Sequence, residues 1–156
     1  MAEELHIAHG GKEEKYALLH KQIASLVESE HDTMANMANI SAMIHQTFGF
    51  WWTGFYRVVG EELILGPFQG PLACSRIKYG RGVCGTAWKE QQTQIVTDVE
   101  QFPGHIACSS ASKSEIVVPL SDAEGNIIAV LDIDSEHYNT FDETDRIWLE
   151  KIVKLI

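Results

Sequence analysis

The sequence predicts an α+β fold, in which helices pack against a central, mainly antiparallel sheet. Apolar residues recur at three- and four-residue spacing near both ends of the chain, which is typical of amphipathic helices. Between the ends lie short runs of aromatic and β-branched residues, several of them joined by glycine-containing turns. Because such turns join neighbouring strands in opposite directions, the middle of the chain should form a sheet of hairpins covered by the helices.

Two helices are predicted at the amino-terminal end, over about residues 12–47. The first follows a pair of glycines and has apolar residues at helical spacing, namely Tyr16, Leu19, Ile23, Leu26 and Val27. Asp32 is a good N-cap for the second helix, which should end near Gly49. The apolar stripe of the second helix is predicted to be core and consists of Met34, Met37, Ile40, Met43 and Ile44.

The sheet and its loops are predicted over about residues 48–135. Strands are indicated by the segments FWWTGFYRVV, LILGPF, LACSRIKY, TQIVT, EIVVPL and IIAVLDID, and a short helix by TAWKEQQ after Gly85. Residues 98–114 are polar and irregular, with Pro103 and Gly104 as breakers. A loop of that length in a compact domain favours a binding or lid role.

A last helix is predicted over about residues 142–156, with Asp142 as its N-cap. Its apolar residues are Ile147, Leu149, Ile152, Val153 and Ile156.

With 156 residues, of which 45% are hydrophobic, the chain can bury one core but is short for two. We therefore expect a single domain over residues 1–156.

The charge of the chain limits the classes of partner. The 22 acidic and 12 basic residues give a formal net charge of −10, so a phosphate backbone would be repelled and nucleic acid is not an expected partner. Binding of a small zwitterionic ligand is still compatible with this charge, because a cleft can differ electrostatically from the surface around it.

The amino terminus lacks the pattern of a secretory signal, and no stretch is long and apolar enough to span a bilayer. We expect a cytoplasmic protein that does not bind membranes.

The three cysteines, Cys74, Cys84 and Cys108, are the first candidates for chemistry. An odd number in a reducing compartment argues against a structural disulfide framework, and leaves inert buried thiols, redox or nucleophilic chemistry, or metal. Their spacings of ten and twenty-four residues do not fit a zinc site, and His105 with Cys108 lacks a second pair, so no metal is predicted. Flexible loops could still bring two of these thiols together as a reversible disulfide.

The segment GRGVCG at residues 80–85 matches the dinucleotide-binding fingerprint literally. The match carries little weight, because the preceding SRIKY is too polar for a first Rossmann strand and the neighbouring elements look antiparallel. The alternative is a tight entry to a helix whose first amides face a pocket and favour an anionic group there. The same helix end would lower the pKa of the Cys84 thiol.

Three carboxylates lie on adjacent predicted strands. Glu115 opens one strand, and Asp132 and Asp134 alternate with apolar residues on the next, which puts these two on one face. Neighbouring carboxylates repel unless they bind a cation, a proton or an ammonium group. They form either a solvated strand end or a pocket for a cationic amino group.

Four segments together resemble the GAF-domain free methionine-(R)-sulfoxide reductases. They are GFY, LGPFQGPLACSRIKYGRGVCGTAW, DVEQFPGHIACSSASKSEIVVPL and AVLDIDS, and the resemblance covers about residues 48–148. It implies a GAF-like domain that reduces free L-methionine-(R)-S-oxide to methionine through sulfenic acid and disulfide intermediates. It also implies no bound cofactor and a thioredoxin-like external reductant, and it leaves a homodimer open.

The resemblance also implies roles for individual residues. Cys108 would be the attacking thiol, resolved by Cys84 or Cys74, although Cys84 as the first attacker stays open. Glu115 would protonate the sulfoxide oxygen. The implied substrate-binding residues are Trp52, packed on the S-methyl group, Tyr56, and the ammonium-binding Asp132 and Asp134.

Two positions depart from the pattern of this family. Trp51 stands where a polar residue is expected, and Ser109 where an acidic or amide residue is frequent.

The alternative function is a non-catalytic GAF sensor that binds a small ligand or senses redox state through the same cysteines.

Overall fold

A computed structural model of the chain describes residues 4–105, 108 and 110–156. The chain forms a six-stranded sheet with the strand order β3-β2-β1-β6-β5-β4, in which every neighbouring pair is antiparallel. The strands are β1 (Trp52–Val59), β2 (Glu62–Gln69), β3 (Arg76–Lys78), β4 (Gln94–Val96), β5 (Ser114–Ser121) and β6 (Ile127–Ser135). The helices are α1 (Lys12–Ser29), α2 (Thr33–Phe48), α3 (Gly82–Glu90) and α4 (Glu143–Val153), with a 3₁₀ turn at Val99–Gln101. The predicted fold class is confirmed.

The main core lies between one face of the sheet and the helices α1, α2 and α4. Alternate residues of the central strands point to this side, because side chains alternate between the two faces of a strand. They pack against the apolar stripes of the three helices, and the fully buried members include Tyr16, Ile23, Ile40, Phe55, Ile116, Leu131, Ile133, Leu149 and Ile152. The main core therefore lies on one face of the sheet, and the opposite face is free of these core contacts.

The opposite face of the sheet packs against α3 and carries a second, smaller apolar cluster. Its buried members are Trp52, Tyr56, Leu63, Ile77, Val83, Cys84, Ala87, Val96, Val99, Val117 and Val130. The antiparallel register places Asp132 opposite Gly54 of β1 and Val117 of β5, and Asp134 opposite Trp52 and Glu115. Polar side chains thus gather on the α3 face of the sheet, in the middle of an otherwise apolar surface.

The predicted helix ends at Asp32, Gly49 and Asp142 are confirmed. The Asp32 carboxylate accepts from the amide of Ala35 at 2.8 Å, and Gly49 ends α2 in the left-handed conformation with φ 68°. Asp142 forms a capping box with Asp145 at the start of α4. These caps satisfy backbone groups that the helices themselves leave without a partner.

Three details of the sequence prediction were wrong. Helix α3 begins at Gly82 instead of after Gly85, and β3 keeps only the end of the predicted third strand. Met34 is 43% exposed in the first turn of α2, so the buried stripe starts at Met37. Ile147, for which the sequence predicted only an apolar position in the last helix, is 45% exposed because it lies two residues before the buried Leu149, on the opposite side of α4.

Of the helices in the described part of the chain, none is both long and apolar enough to cross a membrane.

Candidate active site

A cavity opens between the α3 face of the sheet, residues 71–73, and the three residues His105, Cys108 and Ser112. Its lining includes Trp52, Tyr56, Cys84, Cys108, Glu115, Asp132 and Asp134. Seven of the eight site residues that the sequence predicted therefore meet in one cavity. The eighth, Cys74, is joined to Cys108 by a disulfide, with 5.5 Å between the two Cα atoms.

Aromatic rings form one wall of the cavity. The Trp52 ring stacks on Tyr56 and on Phe68, with centroid distances of 5.8 and 5.1 Å. Gly54 lies between Trp52 and Tyr56 on the strand, and a Cβ there would come within 2.7 Å of the Trp52 ring. The absence of a side chain at Gly54 thus leaves the space that the stacked rings occupy.

The same aromatic residues hold the segment that carries Cys74. The Trp52 indole Nε1 donates to the carbonyl of Pro71 at 3.1 Å, and the Tyr56 hydroxyl donates to the carbonyl of Cys74 at 2.9 Å. Both contacts anchor this loop by its backbone and leave the Cys74 sulfur available for disulfide chemistry. Trp52 and Tyr56 are therefore joined by hydrogen bonds to the segment that carries the disulfide-bonded Cys74.

Three carboxylates occupy the floor of the cavity. Glu115 and Asp132 are each only 6% exposed, and Asp134 is partly buried. Asp134 Oδ1 accepts from the Ser112 hydroxyl at 2.9 Å, whereas Asp132 Oδ1 is buried without a hydrogen-bond partner among the described residues. A buried carboxylate oxygen without a donor is costly, so this arrangement indicates a ligand that supplies one.

Burial and mutual repulsion shift the acidity of these groups. Burial first, and then the charge of Asp132, hold the pKa of Glu115 and of Asp134 well above its ordinary range. Burial also raises the pKa of Asp132. The ligand-free cluster therefore retains protons at pH values where an exposed carboxyl group is ionised. A protonated Glu115 can act as a proton donor.

Cys84 differs from the other two cysteines because it is a free thiol, 3% exposed, on α3. Burial first, and then the charges of Asp132 and Glu115, raise the pKa of this thiol well above its ordinary value. The sequence prediction of a lowered pKa was wrong, since the helix end is outweighed by desolvation and by nearby like charges. The structure also leaves Cys84 out of the disulfide and pairs Cys108 with Cys74.

The GRGVCG segment forms the start of α3 and the rim of the cavity. Gly82 begins α3 with a φ of 63°, a left-handed conformation that glycine adopts readily. A Cβ at Gly85 would come within 2.6 Å of the Lys78 carbonyl, so the absence of a side chain there lets α3 pack tightly on β3. The dinucleotide reading fails because the sheet is antiparallel and lacks a βαβ unit among the described strands. The first residues of α3 and Arg81 line the cavity, as expected for a site that accepts an anionic group.

Some cavity residues were missed or misjudged from the sequence. Arg81 was not singled out, although a basic residue between two glycines at a helix start is a usable signal. His105 was considered only as a metal ligand with Cys108, yet it lines the cavity close enough for its charge to lower the pKa of Asp132. Trp51, noted as a departure, also lines the cavity, and Ser109 lies outside the described residues.

Comparisons with known proteins agree with this geometry. The GAF domain family model matches residues 27–156. The chain is 57% identical over 157 residues to GAF domain-containing protein A of Dictyostelium discoideum, covering 100% of this chain and 99% of that protein. It is 46% identical over 143 residues to the free methionine-R-sulfoxide reductase of Escherichia coli, covering 91% and 86% of the two chains.

A solved structure shows the same likeness in three dimensions. The X-ray structure of free methionine-R-sulfoxide reductase from Neisseria meningitidis in complex with its substrate has a TM-score of 0.95 to this structure. The two sequences are 51% identical, and the match covers 97% of this chain and 92% of the other.

The antiparallel sheet, with three helices on one face and a cavity under α3 on the other, defines a GAF domain. The site within it combines a cysteine pair, a tryptophan wall and buried carboxylates. The chain belongs to the free methionine-R-sulfoxide reductase family of GAF domains.

Proposed function

We propose that the protein reduces free L-methionine-(R)-S-oxide to L-methionine with its cysteine thiols, and that a thioredoxin-like dithiol restores them. One observation carries the proposal: Cys108, joined to Cys74 by a disulfide, lines the same cavity as the Trp52 wall and the buried carboxylates. The homologous proteins named free methionine-R-sulfoxide reductase support the substrate and its stereochemistry.

The cavity suits the charges of a free amino acid. Asp132 and Asp134 would accept from the substrate ammonium group, which gives the unpartnered Asp132 oxygen a donor. The first amides of α3 and the Arg81 guanidinium would bind the substrate carboxylate. The S-methyl group would lie on the Trp52 ring. A methionine sulfoxide residue inside a polypeptide lacks both charges and would lose these contacts.

The first chemical step would be attack of the Cys108 thiolate on the sulfoxide sulfur. Glu115 would give a proton to the sulfoxide oxygen, because a neutral carboxyl group beside the substrate is a suitable general acid. The oxygen then passes to the Cys108 sulfur, so that methionine leaves and a sulfenic acid stays on the protein. The cysteine sulfur is oxidised by two electrons and the substrate sulfur is reduced by two.

The second step would be condensation of the Cys108 sulfenic acid with the Cys74 thiol. This forms the disulfide and releases one water molecule. The Cys74–Cys108 pairing supports Cys74 as the resolving residue, since Cys84 is buried in α3 outside the disulfide. An external dithiol then reduces the disulfide by thiol exchange and is itself oxidised. We expect that donor to be thioredoxin-like and the compartment to be the reducing cytoplasm.

The test is turnover of three substrates with two reductants. Purified protein is supplied with free L-methionine-(R)-S-oxide, its S epimer, and the N-acetyl R compound, which lacks the ammonium group. Thioredoxin with its reductase, or dithiothreitol, serves as donor. We expect turnover of the free R compound and much slower turnover of the N-acetyl compound. Binding without turnover under both donors would favour the GAF sensor instead, and turnover with dithiothreitol alone would reject only the thioredoxin donor.

Homodimer formation stays a separate prediction. Light scattering coupled to size-exclusion chromatography measures the molar mass directly and would decide between one chain of 17.4 kDa and two.

A further inference from the structure

The proposed reaction has no required role for the Cys84 thiol, yet this thiol points into the carboxylate cluster. The Cys84 Sγ atom, one carboxylate oxygen of Glu115 and one of Asp132 all lie within 4.8 Å of one another. All three side chains are at least nine-tenths buried, with 3%, 6% and 6% of their surface exposed. Sulfur and carboxylate oxygens on three separate elements thus converge at one point of the cavity.

We propose that Cys84, Glu115 and Asp132 form an inhibitory site for a thiophilic divalent cation of the zinc type, and that the bound ion excludes the substrate. Zinc–sulfur and zinc–oxygen bonds of the usual lengths place ligand atoms roughly 3.5 Å apart in a tetrahedral site. Small rotations of the three side chains would bring their atoms from the observed separations to that distance. The fourth position faces the cavity, where a water molecule or His105 could complete the coordination.

An independent observation points to a cation here. Asp132 Oδ1 is buried without a hydrogen-bond partner among the described residues, and Asp132 lines the cavity. The substrate ammonium group would satisfy that oxygen, and so would a metal ion. A metal ion would in addition bind the Cys84 sulfur, because thiolate is a preferred ligand of zinc.

The electrostatics of the cluster are consistent with a divalent ligand. Ionisation of Cys84, Glu115 and Asp132 together would place three negative charges within 4.8 Å of one another. A divalent ion would remove the repulsion. Binding converts the Cys84 thiol to a thiolate and releases its proton to solvent, without any change of oxidation state.

The site should be present in both redox states of the protein, because Cys84 takes no part in the Cys74–Cys108 disulfide. The oxidised protein is therefore the sharpest test material. With the disulfide intact, Cys74 and Cys108 are removed as metal ligands and Cys84 is the one remaining thiol. Thiol titration of the unfolded protein before each experiment verifies that state.

The oxidised protein is titrated with Co²⁺ in chelator-free buffer, and the thiolate-to-cobalt charge-transfer absorption is recorded. Zn²⁺ affinity is measured by competition with a chromogenic chelator. We expect one cobalt per chain, displaced by Zn²⁺, with no charge-transfer band in Cys84→Ser. We also expect Cys84→Ser and Asp132→Asn to weaken Zn²⁺ binding by roughly 100-fold or more, beyond the loss usual for groups around the ligands.

Glu136→Gln serves as the matched control, because it removes one negative charge from an exposed position just after β6. Its Zn²⁺ affinity should equal that of the wild type. Circular dichroism verifies that each variant is folded. The proposal is overturned if the wild type shows no charge-transfer band, if the band persists in Cys84→Ser, or if Zn²⁺ affinity is the same in Cys84→Ser and the wild type.

The exclusion of substrate rests on the proposed function and is measured without turnover. Calorimetry records binding of methionine sulfoxide to the oxidised protein, metal-free or saturated with Zn²⁺. We expect binding to the metal-free protein alone. No binding to the metal-free oxidised protein would overturn the claimed exclusion of substrate and leave the cobalt result standing, because the proposed function requires binding to the reduced protein only. Equal binding with and without Zn²⁺ would overturn the inhibitory role.

Discussion

Glu115 lies directly opposite Asp134 on the neighbouring antiparallel strands β5 and β6. Like charges in such a cross-strand pair are normally destabilising, and Asp132 on the same face adds a third carboxylate. This repulsion between carboxylates lies at the centre of the cavity. The other face of the same sheet packs against the main core, which stabilises the sheet. We interpret the cluster as a site in which the carboxylates repel one another without a ligand, and in which a cationic ligand relieves that repulsion.

Glu115→Gln should slow the reduction of free methionine sulfoxide by roughly 100-fold or more, because the amide cannot give a proton to the leaving oxygen. The shape of the side chain is kept, so substrate binding should change less than kcat. Steady-state kinetics with dithiothreitol as donor measures both constants. Glu124→Gln, on the exposed turn between β5 and β6, is the matched control. A near-normal kcat in Glu115→Gln would show that another group supplies the proton.

The roles of the cysteines can be separated by counting turnovers. Cys108→Ser should release no methionine, because the attacking thiolate is lost. Cys74→Ser should release about one methionine per chain with thioredoxin and then stop, because the sulfenic acid has no resolving partner. Quenched-flow measurement of methionine, with mass spectrometry of the protein, reads both outcomes. Retained release in Cys108→Ser together with loss in Cys84→Ser would make Cys84 the attacking residue.

Asp132→Asn should stabilise the ligand-free protein while it weakens substrate binding. Removal of one buried charge relieves the repulsion with Glu115 and Asp134, and a gain of about 1 kcal/mol would raise Tm by about 2–4 °C in a domain of this size. Thermal unfolding in metal-free buffer at neutral pH measures the gain. A lower Tm would mean that the Asp132 charge is compensated in the folded protein.

The difference in Tm between Asp132→Asn and the wild type should also depend on pH. Because the folded-state pKa of these carboxyl groups is raised, the folded wild type binds protons more tightly than the unfolded chain, and its stability falls as the pH rises through the folded pKa. The gap in Tm between Asp132→Asn and the wild type should therefore shrink as the pH is lowered toward about 4, the ordinary carboxyl pKa. A gap that stays constant would point to packing instead of charge.

The start of α4 depends on Asp145, which is fully buried. Its carboxylate accepts from the Tyr16 hydroxyl and from the Lys12 ammonium, each at 2.6 Å, and from the Asp142 amide at 2.9 Å. Asp145→Ala should cost about 3 kcal/mol of unfolding free energy, because it leaves several donors without an acceptor. Tyr16→Phe, which removes one donor, should cost about 1 kcal/mol. Urea denaturation measures both, and equal losses would contradict a network centred on Asp145.

The helices and strands were predictable because their signals are local. Asp32 and Asp142 are N-cap residues that predict helix starts, and Gly49 predicts a helix end. The alternation of polar and apolar residues places Asp132 and Asp134 on one face of their strand. The errors have non-local causes. The close packing of α3 on β3 at Gly85, and the point at which α2 leaves the core and exposes Met34, depend on contacts that no short window of sequence contains.

By itself, the sequence determined the α+β class, the antiparallel hairpins and a family resemblance that named eight site residues. The tertiary structure alone decided that Cys108 pairs with Cys74, and that Cys84 is a buried thiol whose pKa is raised. It also brought Cys84 of α3 against Glu115 and Asp132 of the sheet. The physical reason is that pairing, burial and electrostatic coupling depend on distances between residues far apart in the chain, and those distances exist only once α3 is packed on the sheet.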